Sequence, residues 1–190
     1  MGQSLSYFQS ALSFFRGSHS STPVRVLILG LDDAGKTTLL TQIAAIASGR
    51  PPPTLETEPT IGFNTQVVTF DGVTLEAWDL GGQTVIRPLW RCYFSDTTAV
   101  VFVVDSVDRE RMPMASRELH ALLLEPELAG IPLLVVANKM DIACASPVAE
   151  VASLCDLAVI VDRPWTLCAV SALQGTGVKK AMESLVGLIR

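Results

Sequence analysis

In the segment GLDDAGKT, Gly30, Gly35, Lys36 and Thr37 stand at the spacing G-x-x-x-x-G-K-T. These residue types at this spacing suit the holding of phosphate. Glycines let successive backbone N–H groups curve around an anion, the lysine meets the β- and γ-oxygens, and the threonine hydroxyl reaches Mg²⁺. Asp32, Ala34 and Thr38 belong to the same cradle. The plainer alternative is a glycine turn with a surface lysine. The segment's position between a strand-like run and a helical pattern argues against it.

Two further segments choose the ligand. NKMD (Asn138 to Asp141) follows another strand-like run, at the edge where ligands bind in open α/β sheets. An ionised Asp141 can accept hydrogen bonds from the ring N–H and exocyclic amine of guanine, and adenine offers no such donors there. Charge-assisted bonds of about 1.5–3 kcal/mol each are enough to select the base. Lys139 can lay its stem along the base, and Asn138 can tie this loop to the cradle. In AVSALQGTG, Ser171 and Ala172 are placed to offer a backbone N–H to the guanine oxygen. In WDLGGQ, Asp79 can hold Mg²⁺ through water, Gly82 can bring its N–H to a γ-phosphate with no side chain in the way, and Gln83 can orient an attacking water. A strand ending in a glycine turn would account for WDLGGQ alone. Its order and spacing with the other two segments favour a guanine-nucleotide site.

The scaffold for these residues is legible in the flanking sequence. VRVLIL (Val24 to Leu29), AVVFVVD (Ala99 to Asp105) and IPLLVVAN (Ile131 to Asn138) are short, nearly continuous apolar runs, the pattern of strands buried on both faces of a parallel sheet. Between them lie helical spacings, with Leu39, Ile43 and Ile46 after the first strand and Val178, Met182, Leu185 and Ile189 near the C-terminus. This alternation predicts an α/β fold with a mainly parallel sheet. NTQVVTFDGVTLEAWD reads differently: two strand-like segments flank Asp71-Gly72, a pair suited to a turn with two positive φ angles, and so to an antiparallel hairpin. SGRPPPTLETEP (Ser48 to Pro59) has three consecutive prolines and reads as an exposed loop.

The 190 residues suffice for one domain, read as residues 21–190 behind an N-terminal tail of residues 1–20. A net charge of −5 argues against nucleic acid as a partner. Cys92, Cys144, Cys155 and Cys168 show no CxxC spacing, so neither a zinc site nor a disulfide framework is expected. His19 and His120 lack triad partners. No run approaches the roughly 18 apolar residues of a membrane span, and the N-terminus lacks the charged and apolar regions of a secretory signal, so a cytosolic protein is expected.

The tail, MGQSLSYFQSALSFFRG, fits the myristoylation pattern, with Gly2 as acceptor and Ser6 at the required offset. Leu5, Phe8, Leu12 and Phe15 recur at spacings of three and four among serines, which predicts an amphipathic helix with one apolar stripe. Such a helix either meets a membrane or packs on the domain. One acyl chain anchors only marginally. The second signal must be apolar, since Arg16 is the only fixed positive charge before Arg25 and the C-terminal GLIR has no prenylatable cysteine.

Taken together, GLDDAGKT, PTIGFN, WDLGGQ, IRPLWRCYFSDT, NKMD and the opening MG resemble the ADP-ribosylation factor and Arf-like small GTPases over essentially the whole chain. WDLGGQTVIRPLWRCYFSDT is most similar to the trans-Golgi Arf-like branch. The resemblance implies a P-loop GTPase fold, a mainly parallel six-stranded sheet with one antiparallel interswitch hairpin and helices on both faces. It implies GTP or GDP with Mg²⁺ as ligands, Thr60 as the switch threonine closing on Mg²⁺ and γ-phosphate, and Phe63, Trp78 and Tyr93 as an exposed effector triad. By composition each of these three could equally be a core aromatic. It further implies exchange factors, activating proteins and effectors as partners, reversible peripheral membrane binding, and a role in vesicle traffic at the Golgi. In that family the N-terminal helix rests in a groove with GDP bound, and the hairpin slides to expel it when GTP arrives.

Two features depart from the family pattern. Asp33 stands where a small or amide residue is usual, and the loop from Ser48 to Pro59, with Pro51, Pro52 and Pro53, is several residues longer. No arginine lies between Pro51 and Gln66, so slow unaided hydrolysis is expected. Arg87 and Arg91 read as packing on or near the effector surface rather than as catalytic. Two rival readings stay open: a nucleotide-holding module with little hydrolysis, and another P-loop ATPase or kinase, against which NKMD speaks.

Overall fold

The structure, a computed structural model, describes residues 23–51, 60 and 62–190. Six strands, β1 (Val24–Leu29), β2 (Phe63–Phe70), β3 (Val73–Leu80), β4 (Ala99–Asp105), β5 (Leu133–Asn138) and β6 (Trp165–Ala169), form one sheet in the order β2-β3-β1-β4-β5-β6. Every pairing is parallel except β2 with β3. The hairpin turns on Asp71 and Gly72 with φ of 48° and 76°, as a two-residue turn matched to strand twist requires. The apolar run expected as a strand from Ile131 begins pairing only at Leu133, because Pro132 has no N–H to give to the ladder.

Successive side chains of a strand point to opposite faces, and the buried central strands supply both layers of the core. Val26, Ile28, Val101, Val103, Leu134 and Val136 face α1 (Lys36–Ser48) and α4 (Val178–Ile189). Leu27, Leu29, Val100, Phe102, Leu133 and Val135 face α2 (Met112–Leu123), α3 (Val148–Leu154) and a 3-10 helix over Arg87–Tyr93. Each fully buried Val, Leu or Ile contributes on the order of 1.5–3 kcal/mol, so the sheet is the most firmly held part of the molecule. The carboxyl ends of β1, β3, β4 and β5 therefore form a rigid rim from which the cradle, Asp79, Asp105 and Asn138 project.

Among the described residues no helix is long and apolar enough to cross a membrane. Cys155 and Cys168 are buried, Cys92 and Cys144 are exposed, and all four are free thiols. The predicted N-terminal helix, its Gly2 acceptor, and residues 52–59 of the long loop lie outside the described residues.

Candidate guanine-nucleotide site

The cradle runs from the end of β1 into the first turn of α1 and lines a cleft of about 560 Å³ together with Thr60, Gly82, Gln83 and Lys139. Asp32, Gly35, Lys36, Thr37 and Thr38 all reach this cleft, while Ala34 is buried behind it. Lys36 is nearly buried and donates to the Leu31 carbonyl at 2.7 Å. Burial pushes its ammonium down to about 8, with Asp79 and Asp32 pulling it back up. Gly82 lies flat against the cradle: a Cβ there would sit 2.4 Å from Lys36 Nζ and 2.5 Å from the Asp32 nitrogen. Only glycine lets this backbone approach the cradle so closely. Asp33 is exposed, in the left-handed region at φ 61°, a conformation that Asp and Asn tolerate better than other side chains.

Three residues far apart in the chain meet beside this cleft. The Thr37 hydroxyl donates to Asp79 Oδ2 at 2.6 Å. Thr60 lies 2.9 Å from the Thr37 hydroxyl and 3.5 Å from the same carboxylate oxygen. Asp79 is fully buried, and its Oδ1 has no hydrogen-bond partner among the described residues. Burial holds its carboxyl above the ordinary carboxylate range, against the pull of the Thr37 hydroxyl and the Lys36 charge. A buried, under-coordinated carboxylate beside two hydroxyls is the hard-oxygen donor set that Mg²⁺ takes, directly or through retained waters. The residues present fit the ion.

The base side adjoins the same cleft through Gly35, Thr38 and Lys139, in a smaller recess of about 190 Å³ that also takes in Asn138, Asp141 and Ala172. Asn138, at the end of β5, donates from Nδ2 to the Ala34 carbonyl at 2.8 Å and accepts the Ala172 N–H on Oδ1 at 2.9 Å. One side chain thus ties the cradle, NKMD and the β6 loop together. Gly35 makes room for it, since a Cβ at that φ of 90° would meet Asn138 Nδ2 at 2.3 Å. Lys139 adopts φ 65° and pairs with Asp105 at 2.6 Å, which holds its stem across the recess. Asp141 stands half-exposed at the recess wall. The Ala172 N–H, expected to face a guanine oxygen, is here committed to Asn138. Ser171 serves its own turn, accepting the Gln174 N–H at 3.1 Å.

Phe63, Trp78 and Tyr93 form one aromatic cluster, with ring centroids 5.1, 5.5 and 6.0 Å apart. Phe63 is 46% exposed, while Trp78 and Tyr93 are half-buried and pack on the core layer beneath. The cluster is therefore both a surface and a lid on the core. Arg91 is exposed and pairs with Glu125 at 2.6 Å. Arg87 packs as a buried side chain, bonded to Gly82, Asp32 and Glu118. Sequence reasoning missed Glu118 and Arg111, which also bonds Asp32. Their separations of 31 residues from Arg87 and 79 from Asp32 left no local signal.

A family model described as the ADP-ribosylation factor family matches residues 8–189. ADP-ribosylation factor-like protein 1 of Saccharomyces cerevisiae is 46% identical over 173 residues, 90% of this chain and 90% of the relative. The protein of the same name from Drosophila melanogaster is 46% identical over 176 residues, 92% of this chain and 93% of the relative. Among solved structures, the Arl6 BBS3 small GTPase from Trypanosoma brucei, with bound nucleotide analogue GppNp, superimposes with a TM-score of 0.77 at 33% identity, covering 88% of this chain and 98% of that one. A family match that spans residues 8–189, and 46% identity over nine-tenths of a relative's length, lead to one assignment: the chain belongs to the ADP-ribosylation factor family and is a GTP-binding, GTP-hydrolysing small GTPase.

Proposed function

We propose that this GTPase is a membrane-recruiting switch, exposing effector-binding surface with GTP and withdrawing it with GDP. The observation that carries the proposal is the meeting of Thr37, Thr60 and Asp79 at one buried carboxylate beside the cleft that Gln83 lines. Backbone N–H groups of the cradle and Lys36 bind the phosphates, with Asp32, Ala34, Gly35 and Thr38 shaping the loop. Thr37 and Thr60 would hold Mg²⁺, with Asp79 behind them through water, and the ion would neutralise charge on the β- and γ-phosphates. Because Thr60 itself lines the cleft, presence or loss of the γ-phosphate would be felt there directly. Gly82 offers its N–H to that phosphate, and Gln83 orients water for attack. Asp141 selects guanine, Lys139 flanks the base, and Asn138, Ser171 and Ala172 hold the recess in shape.

Hydrolysis without help is slow, since Arg87 and Arg91 are already engaged by Glu118 and Glu125, and an activating protein supplies the free guanidinium. Phe63, Trp78 and Tyr93 take effectors. The apolar stripe of Leu5, Phe8, Leu12 and Phe15, joined to a myristoyl chain on Gly2, supplies the two signals that reversible anchoring needs. Similarity of WDLGGQTVIRPLWRCYFSDT to the trans-Golgi Arf-like branch supports Golgi membranes as the place and vesicle traffic as the process.

Single-turnover phosphate release from bound GTP, with and without an activator, tests the switch. Gln83→Leu should leave nucleotide binding intact and slow activated hydrolysis on the order of a hundredfold; unchanged hydrolysis removes Gln83 from the role. Sedimentation of the lipidated protein with liposomes should be strong for the GTP form and weak for the GDP form. Equal sedimentation makes the tail a constitutive anchor or a packing helix.

A further inference from the structure

Glu118 lies on α2, outside every nucleotide motif, yet it anchors a charged strap across the cradle. It accepts Arg87 Nη1 at 2.9 Å. Arg87 Nη2 reaches Asp32 Oδ1 at 3.2 Å, and the other Asp32 oxygen takes Arg111 Nη1 at 3.1 Å. The remaining arm, Arg87 Nε, donates to the Gly82 carbonyl at 2.8 Å, which also accepts the Asp32 N–H at 3.2 Å. The Arg87 side chain is only 7% exposed.

A planar guanidinium presents its donors in a fixed fork, and a buried charge that loses a partner is strongly disfavoured. Arg87 is therefore satisfied only when Gly82 sits at one distance from the cradle. The neighbouring peptide is pinned as well: the Gly81 carbonyl accepts Trp90 Nε1 at 2.9 Å. Since that peptide is planar and trans, fixing the Gly81 carbonyl fixes the opposite direction for the Gly82 N–H. Two side chains of one 3-10 helix thus set both peptides flanking Gly82.

We infer that Arg87, anchored by Glu118, is a positioning residue that holds the Gly82 N–H where a γ-phosphate arrives and so sets the preference for GTP over GDP. The inference rests on the reading of Gly82 as the γ-phosphate donor. GDP has no atom at that place, so the strap should affect the two nucleotides unequally, which a merely structural role would not do.

The test measures equilibrium affinities of the full chain with Mg²⁺ for GDP and for guanosine 5′-(β,γ-imido)triphosphate. Arg87→Ala should weaken the imidotriphosphate about tenfold, the worth of one charge-assisted hydrogen bond. GDP affinity should move by no more than about twofold, the scale of a neutral substitution. Glu118→Gln, at a half-exposed side chain that folding tolerates, should shift the ratio the same way by a smaller factor, and Arg87→Lys should restore part of the loss. Gly82→Ala serves as the reference. If it leaves the ratio of the two affinities unchanged, the reading of Gly82 fails and the strap inference falls with it. If Gly82→Ala collapses the ratio while Arg87→Ala and Glu118→Gln preserve it, the strap alone is overturned.

Discussion

The base side and the phosphate side of the cleft are built on opposite principles. Around the base, Asn138 uses both ends of its amide to bind the cradle and the β6 loop, the Met140 N–H is taken by the Val170 carbonyl at 3.1 Å, and Lys139 is neutralised by Asp105. Around the phosphates, Asp79 keeps a buried oxygen that finds no partner among the described residues, and Lys36 is a buried ammonium held well below its ordinary range. The first region is complete before a ligand arrives, so it can select. The second is electrostatically unfinished, and its geometry depends on which phosphates and ion complete it. A molecular switch needs this division: a constant grip on the base and a conditional one on the terminal phosphate.

The largest effect is expected at Asp141. Asp141→Asn removes two charge-assisted acceptors and should lower GDP affinity on the order of 10²–10³-fold, while xanthine nucleotides gain because the amide can donate to their carbonyl. Competition between GDP and XDP reads this directly, and retained guanine preference would place base selection elsewhere. Next comes Asn138→Ala, which strands the Ala34 carbonyl and the Ala172 N–H in a buried place. It should destabilise the nucleotide-free protein by about 2–4 kcal/mol, seen as a lower denaturation midpoint. A loss under about 0.5 kcal/mol, the surface-substitution scale, would show that the base side is not preassembled through this residue.

The phosphate side should instead respond to pH. Lys36 in the free protein titrates at about 8, lowered by burial, and phosphate oxygens restore its ammonium. Above pH 8 binding must then take up a proton, so GDP affinity should fall as pH rises, approaching about tenfold per pH unit, and should be flat below. Stability of the nucleotide-free protein has the opposite sign. The folded pKa lies below the ordinary 10.5, so the unfolded chain binds more protons and stability rises with pH between these values. A flat affinity profile through pH 9 would mean that Lys36 stays charged without ligand. The smallest effect is expected at Asp33, which is exposed. Asp33→Asn keeps a residue suited to φ 61° and should raise GTP affinity less than about threefold, because a solvated charge is screened.

Features that depend on neighbours along the chain were legible in the residues alone. The continuous apolar runs specified the central strands, because burial on both faces leaves no polar alternation. Asp71-Gly72 specified the hairpin because its two positive φ angles are local. GLDDAGKT, WDLGGQ and NKMD were legible as candidate motifs because the glycines, lysine and carboxylates of each stand within a few residues of one another. Other features were settled by long-range packing. Phe63, Trp78 and Tyr93 were undecided between core and surface until β2, β3 and the 3-10 helix brought them together as both. Arg87 read as packing on or near the effector surface, with no partner named; Asp32, 55 positions before it, and Glu118, 31 after it, converge on its guanidinium and hold it buried. The Ala172 N–H turned inward for the same kind of reason, meeting Asn138 across 34 residues. Ion pairs and single hydrogen bonds are short-ranged and carry no periodicity, so their partners become readable only when packing of the sheet and helices has set which distant side chains share a space.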